Sequence, residues 1–195
     1  MASVGSYGSQ CVAAYGTHLP WLAACVVNTE GPVVEFGSGD YSTNFLHTLC
    51  GSLGREIITV ENDAKWVRRY IEDLECDWHR FILEDPRLAS VPHCGVALID
   101  CCPNDIRPIV LNLHADNADI LICHDTESQD YGWDFSNFKH VKHCLRLFPF
   151  TTAVSMTIPL DFLMLPGNVA DGIEYNGKVI VTSRQAQSHP QTPPQ

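Results

Sequence analysis

The chain has 195 residues, of which 45% are hydrophobic and 18% charged, a globular composition that rules out wholesale disorder. Its 12 Lys+Arg stand against 23 Asp+Glu, a formal net charge of −11, and no basic stripe is visible. That balance argues against binding to nucleic-acid phosphates or to anionic membranes. No apolar stretch approaches the roughly 18–20 residues of a membrane helix. Met1–Gln10 lacks a basic start and an apolar run, so a cytoplasmic protein without a secretory leader is expected. The nine cysteines (11, 25, 50, 76, 94, 101, 102, 123 and 144) contain no CxxC and sit mostly inside apolar runs. Reduced, buried small hydrophobes is the reading this favours over disulfides or a zinc site.

In chain order, residues 1–14 read as a flexible segment, and Tyr15–Val27 as a leading helix. Strand one is expected at 32–36, in GPVVEFG. Ser42–Leu53 follows as a helix, with Phe45, Leu46 and Leu49 apolar and Gly51 or Gly54 ending it. REIITVEND predicts strand two at 56–61, and AKWVRRYIEDL a helix whose Trp66, Tyr70 and Leu74 share a face. Strands three, four and five are placed at 79–84, 94–100 and 118–124, with a crossover helix near 106–116 that tolerates Pro108 in its first turn. TTAVSMTIPLDF and GKVIVTSR are two late β runs, and 185–195 is a Pro/Gln tail, so one domain spans 15–184. The first five strands are almost continuously apolar, as in a parallel sheet buried on both faces. A doubly wound α/β fold follows, whose ligands bind at the carboxyl ends of the strands.

Those ends carry the polar residues of interest. Strand one runs into Glu35-Phe36-Gly37-Ser38-Gly39-Asp40-Tyr41-Ser42-Thr43, with two glycines for a tight turn and Ser42 where a dinucleotide fingerprint has its third glycine. Glu35 would repel a pyrophosphate and attract a ligand carrying an ammonium and a sulfonium. The glycines alone are also explained by the turn. Strand two ends in Glu61-Asn62-Asp63, with Glu61 placed for ribose hydroxyls and Asp63 for starting the next helix. Glu84 and Asp85, ending strand three, stand where an adenine amino group is read. Asp100 ends strand four and His124-Asp125-Thr126-Glu127 ends strand five. Two acids at adjacent strand ends either converge on a divalent cation, orient a hydroxyl, or simply cap loops. His124 is a candidate general base, with a structural histidine as the plainer alternative. Lys139, His140 and His143 either reach the same cleft or, as the favoured reading, form a solvated helix face, and Trp133 reads as either a sugar-stacking or a core residue.

Together these residues resemble class I S-adenosylmethionine-dependent methyltransferases over roughly residues 15–160. The likeness rests on E-x-G-x-G at Glu35–Gly39 and on Glu61. VVEFGSGDYSTNFLH, ITVENDAKW, LIDCCPNDIRP, DILICHDTE and TTAVS give a closer similarity to small-molecule and sugar O-methyltransferases. The resemblance implies a Rossmann-like seven-stranded sheet, with parallel strands 1–5, a late antiparallel β pair, and helices on both faces. It implies S-adenosylmethionine held by Glu35, Gly37, Gly39, Ser42, Thr43, Glu61, Asn62, Glu84, Asp85 and Asp100. Catalysis would fall to Asp100, His124 and Asp125, and Asp100 and Asp125 match acids that hold Mg²⁺ or Mn²⁺ in some relatives. Cys101-Cys102-Pro103 and Thr126 depart from that metal pattern. The implied activity is methylation of a hydroxyl on a carbohydrate or similar polyhydroxylated acceptor, such as a glycan, with a homodimer left open. An NAD(P)-dependent oxidoreductase and a methyltransferase-like binding module without turnover are the competing readings.

Overall fold

The computed structural model describes residues 16–145 and 147–163, together with the backbone of 173–175 and 178–180. The expected loose ends at 1–14 and 185–195 lie outside the described residues. The chain divides into two compact units, Met1–Leu163 and Met164–Gln195, a boundary inside the span 15–184 expected of one domain. In the first unit the elements run α1 (Leu19–Val27), β1 (Val33–Phe36), α2 (Ser42–Leu53), β2 (Ile57–Glu61), α3 (Ala64–Leu74) and β3 (His79–Leu83). They continue with β4 (Cys94–Ile99), α4 (Arg107–Leu113), β5 (Ala118–His124), β6 (His140–Cys144) and β7 (Thr151–Ser155). The second unit holds a separate antiparallel hairpin of β8 (Ile173–Tyr175) and β9 (Lys178–Ile180). Among the described residues no helix is long and apolar enough to cross a membrane.

The seven-stranded sheet has the order β3-β2-β1-β4-β5-β7-β6. β1 to β5 pair in parallel, and β7 runs antiparallel to both β5 and β6. Every residue of β1, β2 and β4 is buried, which is why their sequences are mostly apolar, with Glu35, Thr59 and Glu61 as the buried polar exceptions. One face of the sheet, with Val34, Phe36, Ile58, Val60, Ala97 and Ile99, clusters with Val110 and Leu111 of α4. On the other face Glu35 and Thr59 point toward α2, where Glu35 meets Thr43. Helices therefore cover both sides.

Four expectations change. The late pair does form, but β7 takes β6 as its antiparallel partner, whereas the GKVIVTSR run supplies β9 of the other unit. β6 lies in the stretch read as a solvated helix face; as the outermost strand it needs no apolar run, so Lys142 and His143 hid its period of two. The crossover is a 3-10 turn at Asn104–Ile106 followed by α4, which stops at Leu113 because Asn112, His114 and Asn117 close a turn instead. On α3 the buried residues are Val67 and Tyr70, while Trp66 leans over the turn after β1. Asp63 caps this helix, accepting from the backbone N–H groups of Lys65 and Trp66.

The strand order reverses between β1 and β4, so the loops leaving these two strands diverge and open a crevice. Gly37 sets how closely they part. Its φ is +94°, and a Cβ there would lie 2.5 Å from both the Asp100 carbonyl oxygen and Cys101 Cα. The glycine is needed for backbone to meet backbone, rather than for backbone to meet a ligand. Gly37→Ala should therefore lower stability by about 3 kcal/mol or more, combining left-handed strain with an immovable backbone clash. Chemical denaturation checks this; a loss under about 1 kcal/mol would show that the two loops separate freely.

Candidate active site

At this crevice lies a cavity of about 360 Å³. The turn between β1 and α2 supplies Ser38, Gly39, Asp40, Tyr41 and Ser42; the ends of β4 and β5 supply Asp100, His124 and Asp125. Arg107 enters from the start of α4, Trp66 from α3 and His18 from just ahead of α1. A second, more open concavity of about 600 Å³ is lined by Asn62, Asp63, Ala64, Lys65, Cys102 and Pro103.

Glu35 does not line the cavity; it is fully buried beneath the glycine turn. Its carboxylate accepts from the hydroxyls of Thr43 (3.0 Å) and Thr59 (2.8 Å), and Thr43 Oγ1 in turn accepts from the Gly39 N–H at 2.8 Å. The acid thus shapes the turn through Thr43. Burial pushes its pKa up to about 7, against the lowering effect of hydrogen bonds from Ser42, Thr59 and Thr43. Its contribution as a fixed negative charge for a cationic ligand is correspondingly smaller than expected. The network continues outward: Thr59 Oγ1 lies 3.0 Å from His79 Nε2, and His79 Nδ1 lies 3.2 Å from His47 Nδ1. With Thr59 donating to Glu35, His79 donates through Nε2 and receives from His47.

Glu61, at the end of β2, is where a ribose-binding acid is expected. Its Oε1 accepts from the backbone N–H groups of Asn62 and Asp63, and its Oε2 from the N–H and hydroxyl of Ser38. A carboxylate offers about four acceptor positions, so all are in use. Of these donors only the Ser38 hydroxyl can rotate away, and a ligand hydroxyl can take its place. Asn62 lines the second concavity and donates to the Cys102 carbonyl at 2.8 Å.

Asp100, His124, Asp125 and Arg107 form one charged cluster. The Arg107 guanidinium, 4% exposed, lies 2.8 Å from Asp100 Oδ1 and 2.8 Å from Asp125 Oδ2, and its Nε donates to the Cys101 carbonyl. His124 Nδ1 lies 3.3 Å from Asp100 Oδ2 and 3.4 Å from Asp125 Oδ1, aligned on neither for a linear hydrogen bond, so the attraction is that of an ion pair. Burial would raise the Asp100 pKa, but His124 and Arg107 outweigh it and hold it low. Asp125 adopts φ 58°, a left-handed conformation that carboxamide and carboxylate residues tolerate better than most and that turns its side chain into the cluster.

The protons of His124 can be counted. Thr17 Oγ1 donates to the Pro149 carbonyl at 2.7 Å and lies 3.2 Å from His124 Nε2. A carbonyl only accepts, so the single hydroxyl proton is committed and Nε2 must be the donor. Nδ1 faces two carboxylates and is favoured protonated as well. His124 is therefore an imidazolium. Burial lowers its pKa, but the facing Asp100 and Asp125 overcome this and raise it. This corrects the expectation of His124 as general base, because the ring has no lone pair to offer.

The same cluster bears on the expected metal site. One oxygen or nitrogen from each of Asp100, His124 and Asp125 lies within 4.8 Å of the others, close enough to share a cation. Each aspartate, however, gives one oxygen to Arg107 and the other to His124, and a metal-binding histidine has to be neutral. The two carboxylates are balanced by guanidinium and imidazolium. A divalent ion would therefore have to displace the His124 proton and compete with Arg107 for the carboxylate oxygens.

Gly39, Ser42, Asp100, His124 and Asp125 thus meet at one cavity, whereas Gly37, Thr43 and Glu35 support it from behind. Glu84 and Asp85 line neither concavity: Glu84 accepts from the Asp85 N–H, and Asp85 is engaged by Arg87, whose hydrogen bonds hold its pKa near 2. Trp133 stacks on Phe135 against the core, so it is not a sugar platform. Asn104 donates to the Tyr131 hydroxyl, and Glu127 accepts from the Phe150 N–H. His140 and His143 belong to β6 and Lys139 precedes it, away from the cavity; His143 instead meets Thr152. The expectations missed His18, Arg107 as the bridging cation, and Trp66, whose Nε1 donates to the Ser38 carbonyl at 2.7 Å. No short motif marks any of the three.

No protein-family model matches the chain, and a search of curated protein sequences finds no match. Solved structures are similar. The S-adenosylhomocysteine-bound methyltransferase PaMTH1 of Podospora anserina has a TM-score of 0.54 at 12% identity, over 80% of this chain and 97% of that one. The METTL16 methyltransferase domain has 0.53 at 11%, covering 74% and 68%. The N-methyltransferase NodS of Bradyrhizobium japonicum WM9 has 0.51 at 8%, covering 70% and 91%. The fold is that of the S-adenosylmethionine-dependent methyltransferases. At these identities the likeness is one of fold, and the chemistry rests on this chain's own residues.

Two outcomes follow from the geometry. Glu35 titrates at about 7 in the folded protein and 4.5 unperturbed, so between these values the folded state holds a proton that the unfolded chain has released. Stability contributed by that proton falls as pH rises through the window. Glu35→Gln removes the dependence, and the gap between variant and wild type should move by roughly 3 kcal/mol in the variant's favour from pH 4.5 to above 7, read by denaturant titration. A gap that stays constant with pH would place the Glu35 pKa near its usual value. Separately, dialysis against a chelator should leave the melting temperature unchanged, and added Mg²⁺ or Mn²⁺ should not raise it; a metal-dependent rise would mean that Arg107 yields its place.

Proposed function

We propose that this chain is an S-adenosylmethionine-dependent methyltransferase acting on a hydroxyl of a carbohydrate or similar polyhydroxylated small molecule. The observation that carries the reading is the charge-balanced cluster of Asp100, Asp125, Arg107 and His124 beside the glycine turn in one cavity. Cofactor fit is supported by two features. Tyr41 and Ser42, at the positive end of α2, line the cavity and favour a carboxylate such as that of the methionine moiety. Glu61 with its one replaceable donor, and Asn62 beside it, suit a ribose.

Bound there, the cofactor supplies a methyl group on a cationic sulfur, already a good electrophile. The protein has then to align an acceptor oxygen and receive its proton. Asp100 and Asp125 present carboxylate oxygens fixed by Arg107, so an acceptor hydroxyl meets acceptors whose positions do not depend on mobile side chains. The cavity lining is rich in carboxylate and hydroxyl groups, among them Asp40, Ser42, Asp100 and Asp125, which favours a polyhydroxylated ligand over an apolar one.

Isothermal titration with S-adenosylhomocysteine should give micromolar binding, and NAD none. Methyl transfer from radiolabelled S-adenosylmethionine should then label hexopyranosides rather than amines. Asp125→Asn is expected to lower turnover roughly 100-fold or more while leaving S-adenosylhomocysteine affinity within threefold, since the substitution tolerates the left-handed backbone but loses the Arg107 charge pair. Binding of NAD in place of S-adenosylhomocysteine would sink the reading, and label appearing only on amines would sink its hydroxyl specificity.

A further inference from the structure

One side chain at the cavity is left without a role by the cluster. His18 precedes α1, is 1% exposed, and lines the cavity. Neither of its ring nitrogens has a hydrogen-bond partner among the described residues. A buried imidazole in this condition forfeits the hydrogen bonds it makes in water unless a ligand engages it. Thr17, the residue before it, is tied to Pro149 and to His124, which fixes the backbone that presents the ring.

Resting on the methyl-transfer reading, we propose that His18 is the general base that takes the acceptor's hydroxyl proton. The other candidates are spent. His124 is protonated on both nitrogens, and Asp100 and Asp125 are each held 2.8 Å from Arg107. The rings of His18 and His124 meet edge to face with centroids 4.5 Å apart, so the imidazolium electrostatically opposes a second proton on its neighbour. Burial first, and the His124 charge next, push the His18 pKa down to about 4, while Asp100 acts weakly in the other direction. His18 is thus a neutral ring with a free lone pair across the neutral range. Asp40, Asp125 and Arg107 line the same cavity.

In the step itself, a lone pair of the acceptor oxygen forms the new O–C bond as the S–CH3 bond breaks, its electron pair staying on sulfur as the thioether. The O–H bond breaks, its pair returns to oxygen, and the proton moves to His18. Positive charge passes from sulfonium to imidazolium and the sum is unchanged. A weak base suffices, because a hydroxyl oxygen that has gained a methyl and kept its proton is a far stronger acid than any imidazolium. Repulsion from His124 then returns the proton to water.

The test joins two measurements on the whole chain. Imidazole 15N NMR, with assignments from His18→Gln and His124→Gln, should show His18 neutral and His124 doubly protonated at pH 7. With radiolabelled S-adenosylmethionine and a fixed hexopyranoside mixture, His18→Gln and His18→Asn should lose roughly 10²–10⁴-fold in kcat. Their S-adenosylhomocysteine affinity, measured by titration calorimetry, should stay within threefold, and the wild-type rate should be flat from pH 6 to 8. A His18 ring protonated at pH 7, wild-type turnover in both variants, or joint loss of turnover and S-adenosylhomocysteine binding overturns the assignment. Failure of the wild-type protein itself to bind S-adenosylhomocysteine overturns the methyl-transfer reading instead.

Discussion

Arg107 reaches two carboxylates at once, Asp100 at the end of β4 and Asp125 after β5, and it does so while almost wholly buried. Two aspartates a few ångströms apart in a low-dielectric crevice repel each other, and without compensation one of them would take up a proton. The planar guanidinium answers both through separate nitrogens, and His124 answers both from the other side. Taking away one partner of such a buried set typically costs about 3–5 kcal/mol, because the remaining charges are left unpaired. The arrangement therefore joins α4 to two strand ends and sets the electrostatics of the cavity in the same stroke. In this state the charge that a divalent ion would neutralise is distributed over two side chains.

A second network lies on the opposite side of the β1–α2 turn. Glu35 holds Thr43, Thr43 holds the Gly39 N–H, and Thr59 links Glu35 to His79 and His47. Here a carboxylate acts on loop geometry rather than on a ligand. The consequence is that the two conspicuous acids of the glycine motif and of the β4 and β5 ends are not equivalent. Glu35 is buried where ionisation is disfavoured, whereas Asp100 is kept ionised by its cationic neighbours. Position relative to Arg107 separates them, not residue type.

How legible the molecule was in its sequence differs element by element. β1, β2 and β4 were plain because both of their faces are buried, and the acids that end them followed in register. β6 was hidden because an edge strand is sided by solvent and can be built from His, Val and Lys. Asp100, His124 and Asp125 were identified as a group, yet the structure favours His124 as a cation rather than as a base, since the hydroxyl of Thr17 is spent on Pro149. Trp133 and the pair Glu84 and Asp85 were drawn toward the site by type and by strand-end position. Stacking on Phe135 and capture by Arg87 take them elsewhere.

The sequence by itself determined the parallel α/β sheet, the crevice at its carboxyl ends and the presence of carboxylates there, because burial pattern and strand termination are local properties of the chain. Only the tertiary structure decided which charges meet. Arg107 and His18 come from the first turn of a crossover and the lead into a helix, positions whose local sequence demands nothing of their side chains. Arg107 acts on Asp125, 18 positions away, and Thr17, beside His18, on His124, 107 positions away. Protonation depends on such neighbours in space, and so the acid and base roles of this site could be read only after the chain had been folded around them.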